Sequence, residues 1–141
     1  MAVLNRLLIC FDFIFYVIFS YYYNDGKTDK RNYPPIGQTY FIMVIFFVGF
    51  FLFLLSAFEK LYDFGTDSQD SKIHARIVAV IALVFTYFAF YYKKRYIKIY
   101  NKFKKKPFPN SKNGKRLGWL LYFIGLMSPI ILSYIIFKIK Y

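Results

Sequence analysis

A 141-residue chain with 58% hydrophobic and 25% aromatic residues exceeds the ~45–50% apolar content of soluble domains. The excess is gathered in four blocks, 3–23, 39–58, 73–92 and 117–137, which excludes an ordinary buried core and leaves no room for a separate soluble catalytic domain. The net charge is +13, and the single cysteine, Cys10, excludes an intrachain disulfide or a thiolate metal site.

Each block holds about 20 residues, enough at ~1.5 Å rise per residue to cross a hydrocarbon core of ~30 Å. The predicted fold class is therefore all-α: an integral membrane four-helix bundle forming one domain. Its helices are expected over about 3–23, 39–60, 73–105 and 117–138, with the third extended into the cytoplasm. Tyr21, Tyr22, Tyr23, Tyr40, Tyr62, Tyr91, Tyr92, Trp119 and Tyr122 cluster at block ends, the pattern of interfacial aromatic belts. Over-use of Phe, Tyr, Ile, Lys and Asn matches an AT-rich genome and points to a bacterial source and its inner membrane.

The first block has Arg6 and a hydrophobic run, as a signal peptide would, but the run is long and SYYYNDG after it contains no small-x-small cleavage pattern, so it is expected to be a retained helix. Asp12 is the one ionisable residue well inside a block. A charge at a span centre costs ~2.5–3.5 kcal/mol on insertion scales, so it calls for a partner or a purpose. Antiparallel threading puts Arg6, Glu59, His74, Arg76 and Lys138 on the membrane side of the N-terminus. Arg6, Asp12, Glu59, His74 and Arg76 thus form a candidate intramembrane polar cluster. It either fixes helix register as a set of ion pairs or opens outward as a pocket for a cation, a proton or a partner's side chain. His74 is the chain's lone histidine, and a zinc or haem site needs further ligands, so no metal and no cofactor is expected.

The second block is almost wholly Phe, Ile, Leu and Val over 41–53, as a lipid-facing helix would be. In the third, Ala75, Ala79, Ala82, Thr86 and Ala89 recur at spacings of four and three, aligning small side chains on one seam. Small residues let helices approach closely in lipid, so this seam is expected to face the bundle, with Ile77, Val80, Ile81 and Val84 at its flanks or toward lipid. The same period continues through Lys93, Tyr96, Tyr100 and Phe103, making KKRYIKIYNKFKKK amphipathic at helical spacing until Pro107 and Pro109 stop it. No Gly or Pro interrupts 75–106, which favours a straight helix of ~50 Å over one bent into the interface. Its Tyr96, Tyr100 and Phe103 stripe then needs cover, from the 24–37 connection or from a partner protein. Asn113-Gly114 is the expected tight turn of the return. In the fourth block Ser128-Pro129 predicts a kink near Met127, and Gly118 and Gly125 offer a second close-packing face.

Segment 93–116 holds eleven Lys/Arg and no acid, and the 24–37 connection holds three more; the other side carries six. The positive-inside rule then places both basic connections in the cytoplasm and both termini outside. Lys93, Lys94, Arg95, Lys104, Lys105 and Lys106 are expected to meet anionic lipid headgroups, each worth ~1 kcal/mol near the surface. No base-reading module accompanies them, so no nucleic-acid partner is expected.

In size, four spans, composition and the YYKKRYIKIYNKFKKK continuation of its third helix, the chain resembles the small four-span immunity proteins of bacterial polymorphic or contact-dependent toxin systems. That resemblance implies a non-catalytic protein that blocks a membrane-active toxin within the bilayer. Its contacts would be the exposed helix faces and the Arg6, Asp12, Glu59 and Arg76 cluster. An accessory or assembly subunit of a larger membrane complex would look the same. In outline the chain is also similar to the small multidrug-resistance transporters, with Asp12 in place of their proton-coupled glutamate. It departs from them in its greater length, its basic third connection and its second-helix pattern. Enzymatic function is not expected: cysteine pairs, paired acids, adjacent glutamates and an H-E-x-x-H motif are all missing from the sequence.

Overall fold

The computed structural model describes residues 2–23, 35–61 and 68–140, with side chains over 5–23, 36–57, 73–131 and 134–135. The connections 24–34 and 62–67, with Lys27, Lys30, Arg31 and Tyr62, and the side chains of Glu59 and Lys138, lie outside the described residues. Among the described residues the structure is all-helical: α1 (Ala2–Tyr23), α2 (Pro35–Leu61), α3 (Ser68–Thr86), α4 (Arg95–Lys104), α5 (Pro107–Asn110) and α6 (Lys112–Lys140). Three stretches, Asn5–Tyr23, Ile36–Ala57 and Ile73–Lys104, are long and apolar enough to cross a membrane.

The centre of the molecule is the second half of α1. Six consecutive residues, Ile14 to Phe19, are buried, so every face of the helix is covered there. A helix turns 100° per residue, and six buried in a row need neighbours all round. These are α2, α4 and α6, together with the turn that follows α3. Aromatic rings fill the space between them. Phe15 stacks on Phe90 with centroids 4.6 Å apart, and Phe11 meets Phe46, Phe47 and Phe50 edge-on. Offset or edge-on pairs of this kind each add about 0.5–1.5 kcal/mol beyond area burial.

The outer helices approach one another through small residues. On α3, Ala82 and Thr86 are fully buried, Ala79 partly so and Ala75 exposed, and Ala89, just beyond the helix, is half-buried. Ile77, Val80, Ile81 and Val84 all face outward. Between α2 and α6, a Cβ on Gly49 would lie 2.9 Å from the Leu126 carbonyl oxygen, and one on Gly125 would lie 2.2 Å from the Phe46 ring. Gly118 seats the Val17 side chain in the same way. α6 continues through Pro129, and Ser128 Oγ donates to the Gly125 carbonyl at 2.7 Å. That carbonyl is the one a residue-129 N–H would have bonded, so the hydroxyl repairs the gap left by proline.

Two expectations about the region after α3 are corrected. The third helix does not run straight to Lys105. It passes into a π-helical turn over Tyr87–Tyr91 and a 3-10 turn over Tyr92–Lys94, in which Lys93 (φ 51°) and Lys94 (φ 53°) are left-handed. A π turn inserts one residue, which here brings Phe90 onto Phe15 and lets the Tyr91 hydroxyl donate to the Ile36 carbonyl at 2.9 Å. The two left-handed residues then turn the chain so that α4 packs on α1. The physical reason lies on α1: Phe13, Tyr16, Phe19 and Tyr23 receive α4's aromatic face, and this burial outweighs two strained lysines. Nor is Asn113-Gly114 a turn. Both residues lie in α6, whose start is capped by Ser111, its Oγ accepting the Gly114 N–H at 3.0 Å. A Cβ on Gly114 would lie 2.0 Å from the Phe108 carbonyl oxygen, so glycine serves close approach to α5 there.

Candidate functional site

The polar chemistry of the described residues concentrates where α4 and α5 fold onto α1. α4 is strongly amphipathic. It buries Ile99 and Phe103 and half-buries Tyr96 and Tyr100, while Lys98, Lys102 and Lys104 stay exposed. The Tyr96, Tyr100 and Phe103 stripe is therefore covered by α1. Phe19 lies 6.0 Å from Tyr96, Tyr23 5.2 Å from Tyr100, and Tyr16 5.5 Å from Phe103.

At the near end of this contact Asp12 is buried and accepts a hydrogen bond from Arg95 Nη2 at 3.1 Å, which is also an ion pair. Arg95 thus leaves the set of headgroup-facing cations and becomes the partner of Asp12. Of the other residues grouped with Asp12 by threading, Arg6 and Arg76 are exposed and His74 is half-buried. The sequence pattern does not pair Asp12 with Arg95 because a straight third helix carries Arg95 away from α1, whereas the left-handed residues Lys93 and Lys94 fold α4 back onto it. An open cavity of about 480 Å³ adjoins the pair, with Lys98, Lys102, Phe88 and Tyr92 on its walls. Cations, not carboxylates, surround Asp12 on the α4 side.

At the far end sits a residue that sequence reasoning did not single out. Asn110 Nδ2 donates to the carbonyls of Phe103 (3.2 Å), Lys104 (2.9 Å) and Lys106 (2.7 Å), while its Oδ1 accepts from the Tyr16 hydroxyl. One side chain closes the C-terminal end of α4 and ties it to α1. Its only signal in the sequence was an Asn following Pro-Phe-Pro, a turn composition shared by many loops.

Lys93, Lys94, Lys104, Lys105 and Lys106 are all exposed. Three lie against rings: Lys93 Nζ 5.3 Å from the Tyr92 centroid, Lys104 Nζ 5.4 Å from Tyr100 and Lys106 Nζ 5.4 Å from Phe103. Cys10 is exposed on α1. Among the described residues no three His, Cys, Asp or Glu side chains are grouped to hold a metal ion. No family model, curated protein or solved structure matches this chain.

Proposed function

We propose that this chain is a non-catalytic, four-span membrane protein that binds another membrane protein. Its most specific form is the bilayer-level neutralisation of a membrane-active toxin in the bacterial inner membrane. α1, α2, α3 and α6 are the four spans in this reading, with both termini outside, and the basic α4–α5 segment folds back against α1 from the cytoplasmic side. The observation that carries it is the division of labour between inside and outside. At the α1–α4–α5 junction Asp12, Arg95, Tyr16 and Asn110 bond to one another or to helix carbonyls, while the outward helix faces are broad and apolar. On α3 and the π turn after it, this surface comprises Ile73, Ile77, Val80, Ile81, Val84 and Phe88; on α6, Leu120, Phe123, Ile124, Met127 and Ile130. Faces of that extent fit lipid and a partner helix, and surface contact is what such a molecule offers. An accessory-subunit role rests on the same faces. Proton-coupled transport through Asp12 is less well supported, since Arg95 holds the carboxylate at 3.1 Å with two lysines beside it.

A photo-crosslinking amino acid at Val80, on the outward face of α3, tests the reading in native membranes. A discrete protein adduct identified by mass spectrometry supports it, and its identity separates a toxin from a complex subunit. Crosslinks to lipid alone, repeated from a second site at Ile124, overturn partner binding.

A further inference from the structure

A second cavity, of about 430 Å³, opens between α1, α4, α5 and the first turn of α6. Lys104, Lys105, Lys106 and Lys115 line it, with Tyr16 and Ser20 of α1 at its wall, and no acid is among its described lining residues. This is not a loose basic face. The four lysines come from three separate places in the fold, the end of α4, the link to α5 and the first turn of α6. Asn110 fixes their relative position by tying the carbonyls of Phe103, Lys104 and Lys106 to Tyr16. The Ser111 cap and the tight Gly114–Phe108 contact fix Lys115 against the same corner. Lys104 Nζ and Lys106 Nζ lie 5.4 Å from the ring centroids of Tyr100 and Phe103. The like charges of Lys105, Lys106 and Lys115, held on one braced frame, repel one another, and an anion at their centre removes that cost. Compact ammonium groups on flexible stems suit a phosphoryl oxygen cluster, to which each donates a charge-assisted hydrogen bond.

We infer that this cavity is a stoichiometric binding site for a phosphoryl anion, the phosphodiester of an anionic phospholipid or a soluble phosphate. The lipid source rests on the membrane reading above; the soluble source does not. An apolar groove of about 470 Å³ adjoins the same corner at Lys106 and Pro107, lined by Ile9, Phe13, Leu117 and Leu121. An acyl chain could lie there while its headgroup phosphate sits among the lysines.

The site is tested on the full chain in neutral detergent micelles, by native mass spectrometry with phosphatidylglycerol as the probe and inorganic phosphate as competitor. One retained phosphatidylglycerol is expected. Lys105→Gln with Lys115→Gln should weaken it roughly thirty-fold, about five-fold per lysine. Lys105→Arg with Lys115→Arg should keep it. Lys93→Gln with Lys94→Gln removes the same charge outside the cavity and should change binding less than about three-fold. Equal losses in the two Gln pairs, or none in either, overturn the site. A footprint of the wild-type protein guards against a misfolded variant. Reductive methylation of Lys105, Lys106 and Lys115, but not of Lys93 and Lys94, should slow when either probe is added. Protection by inorganic phosphate without lipid retention assigns the soluble source. Absence of protection by both probes overturns the inference.

Discussion

Asp12 and Arg95 stand 83 residues apart in the chain and 3.1 Å apart in the fold, joining the middle of α1 to the first residue of α4. The carboxylate side chain is 10% exposed and the guanidinium 38%, so the pair lies between a surface bridge and a buried one. Removing one partner strands the other, whereas removing both does not. Asp12→Asn and Arg95→Met are each expected to cost about 1–3 kcal/mol, and the double variant markedly less than their sum. Chemical unfolding in detergent, run as a double-mutant cycle, measures this. Additive costs would mean the two charges do not interact. Asp12→Asn also separates functions: a proton-coupled transporter loses flux, while a binding protein retains its partner.

Lys93 and Lys94 hold left-handed backbone conformations that cost roughly 1–2 kcal/mol per residue for an L-amino acid. Glycine adopts them freely but gives back part of the gain through unfolded-chain entropy. Lys93→Gly and Lys94→Gly are each expected to stabilise the protein by about 0.5–1 kcal/mol, seen as a raised Tm in detergent. Were the helix straight through this point, glycine would instead destabilise it by a similar amount.

The existence of long helices was legible because length and apolar content depend on no tertiary detail. The inward Ala82 and Thr86 and the outward Ile77, Val80, Ile81 and Val84 were legible from the 3.6-residue period alone. The reversal at Lys93–Lys94 was not. The stripe Tyr96, Tyr100 and Phe103 reads identically whether α4 projects straight or folds back. No Gly or Pro marks the bend, because the aromatic face of α1 supplies the driving force. With a straight third helix Arg95 lies far from Asp12, which leaves Arg6 and Arg76 as the nearest candidate partners; the bend brings Arg95 to it. Asn110 escaped notice for another reason. Its role depends on where three carbonyls and Tyr16 meet in space, which no local pattern encodes.

Asn110 holds four groups at once, so its truncation should exceed the cost of any one bond. Asn110→Ala is expected to cost about 2–3 kcal/mol, against roughly 1 kcal/mol for Tyr16→Phe, which removes only the hydroxyl. Hydrogen exchange should show α4 opening first in Asn110→Ala while α2 keeps its protection. Uniform loss of protection across all helices would deny it a local role.

The glycines give a graded series on one scaffold. A Cβ at Gly37 meets nothing within 4 Å, so Gly37→Ala should gain about 0.5–1 kcal/mol from helix propensity. At Gly125 the added methyl meets the Phe46 ring, which can shift, and about 1–3 kcal/mol is expected to be lost. Gly114→Ala meets backbone at 2.0 Å and should be the most damaging, separating α5 from α6. The order Gly37, Gly125, Gly114 in Tm is the result to look for. A stable Gly114→Ala protein would contradict the close α5–α6 contact.

Pro129 and Ser128 make the last case, because each has meaning only in the presence of the other. Proline cannot donate to the Gly125 carbonyl, and the Ser128 hydroxyl does so at 2.7 Å. In the native background Ser128→Ala leaves that carbonyl unpaired and should cost about 1 kcal/mol. In a Pro129→Ala background the backbone N–H returns, the hydroxyl becomes redundant, and Ser128→Ala should cost close to nothing. Pro129→Ala alone tests whether α6 needs the proline: the helix gains a bond and should rise in stability by roughly 1–3 kcal/mol if proline only breaks the ladder. If Ser128→Ala costs the same in both backgrounds, the hydroxyl acts elsewhere and the repair is not its purpose.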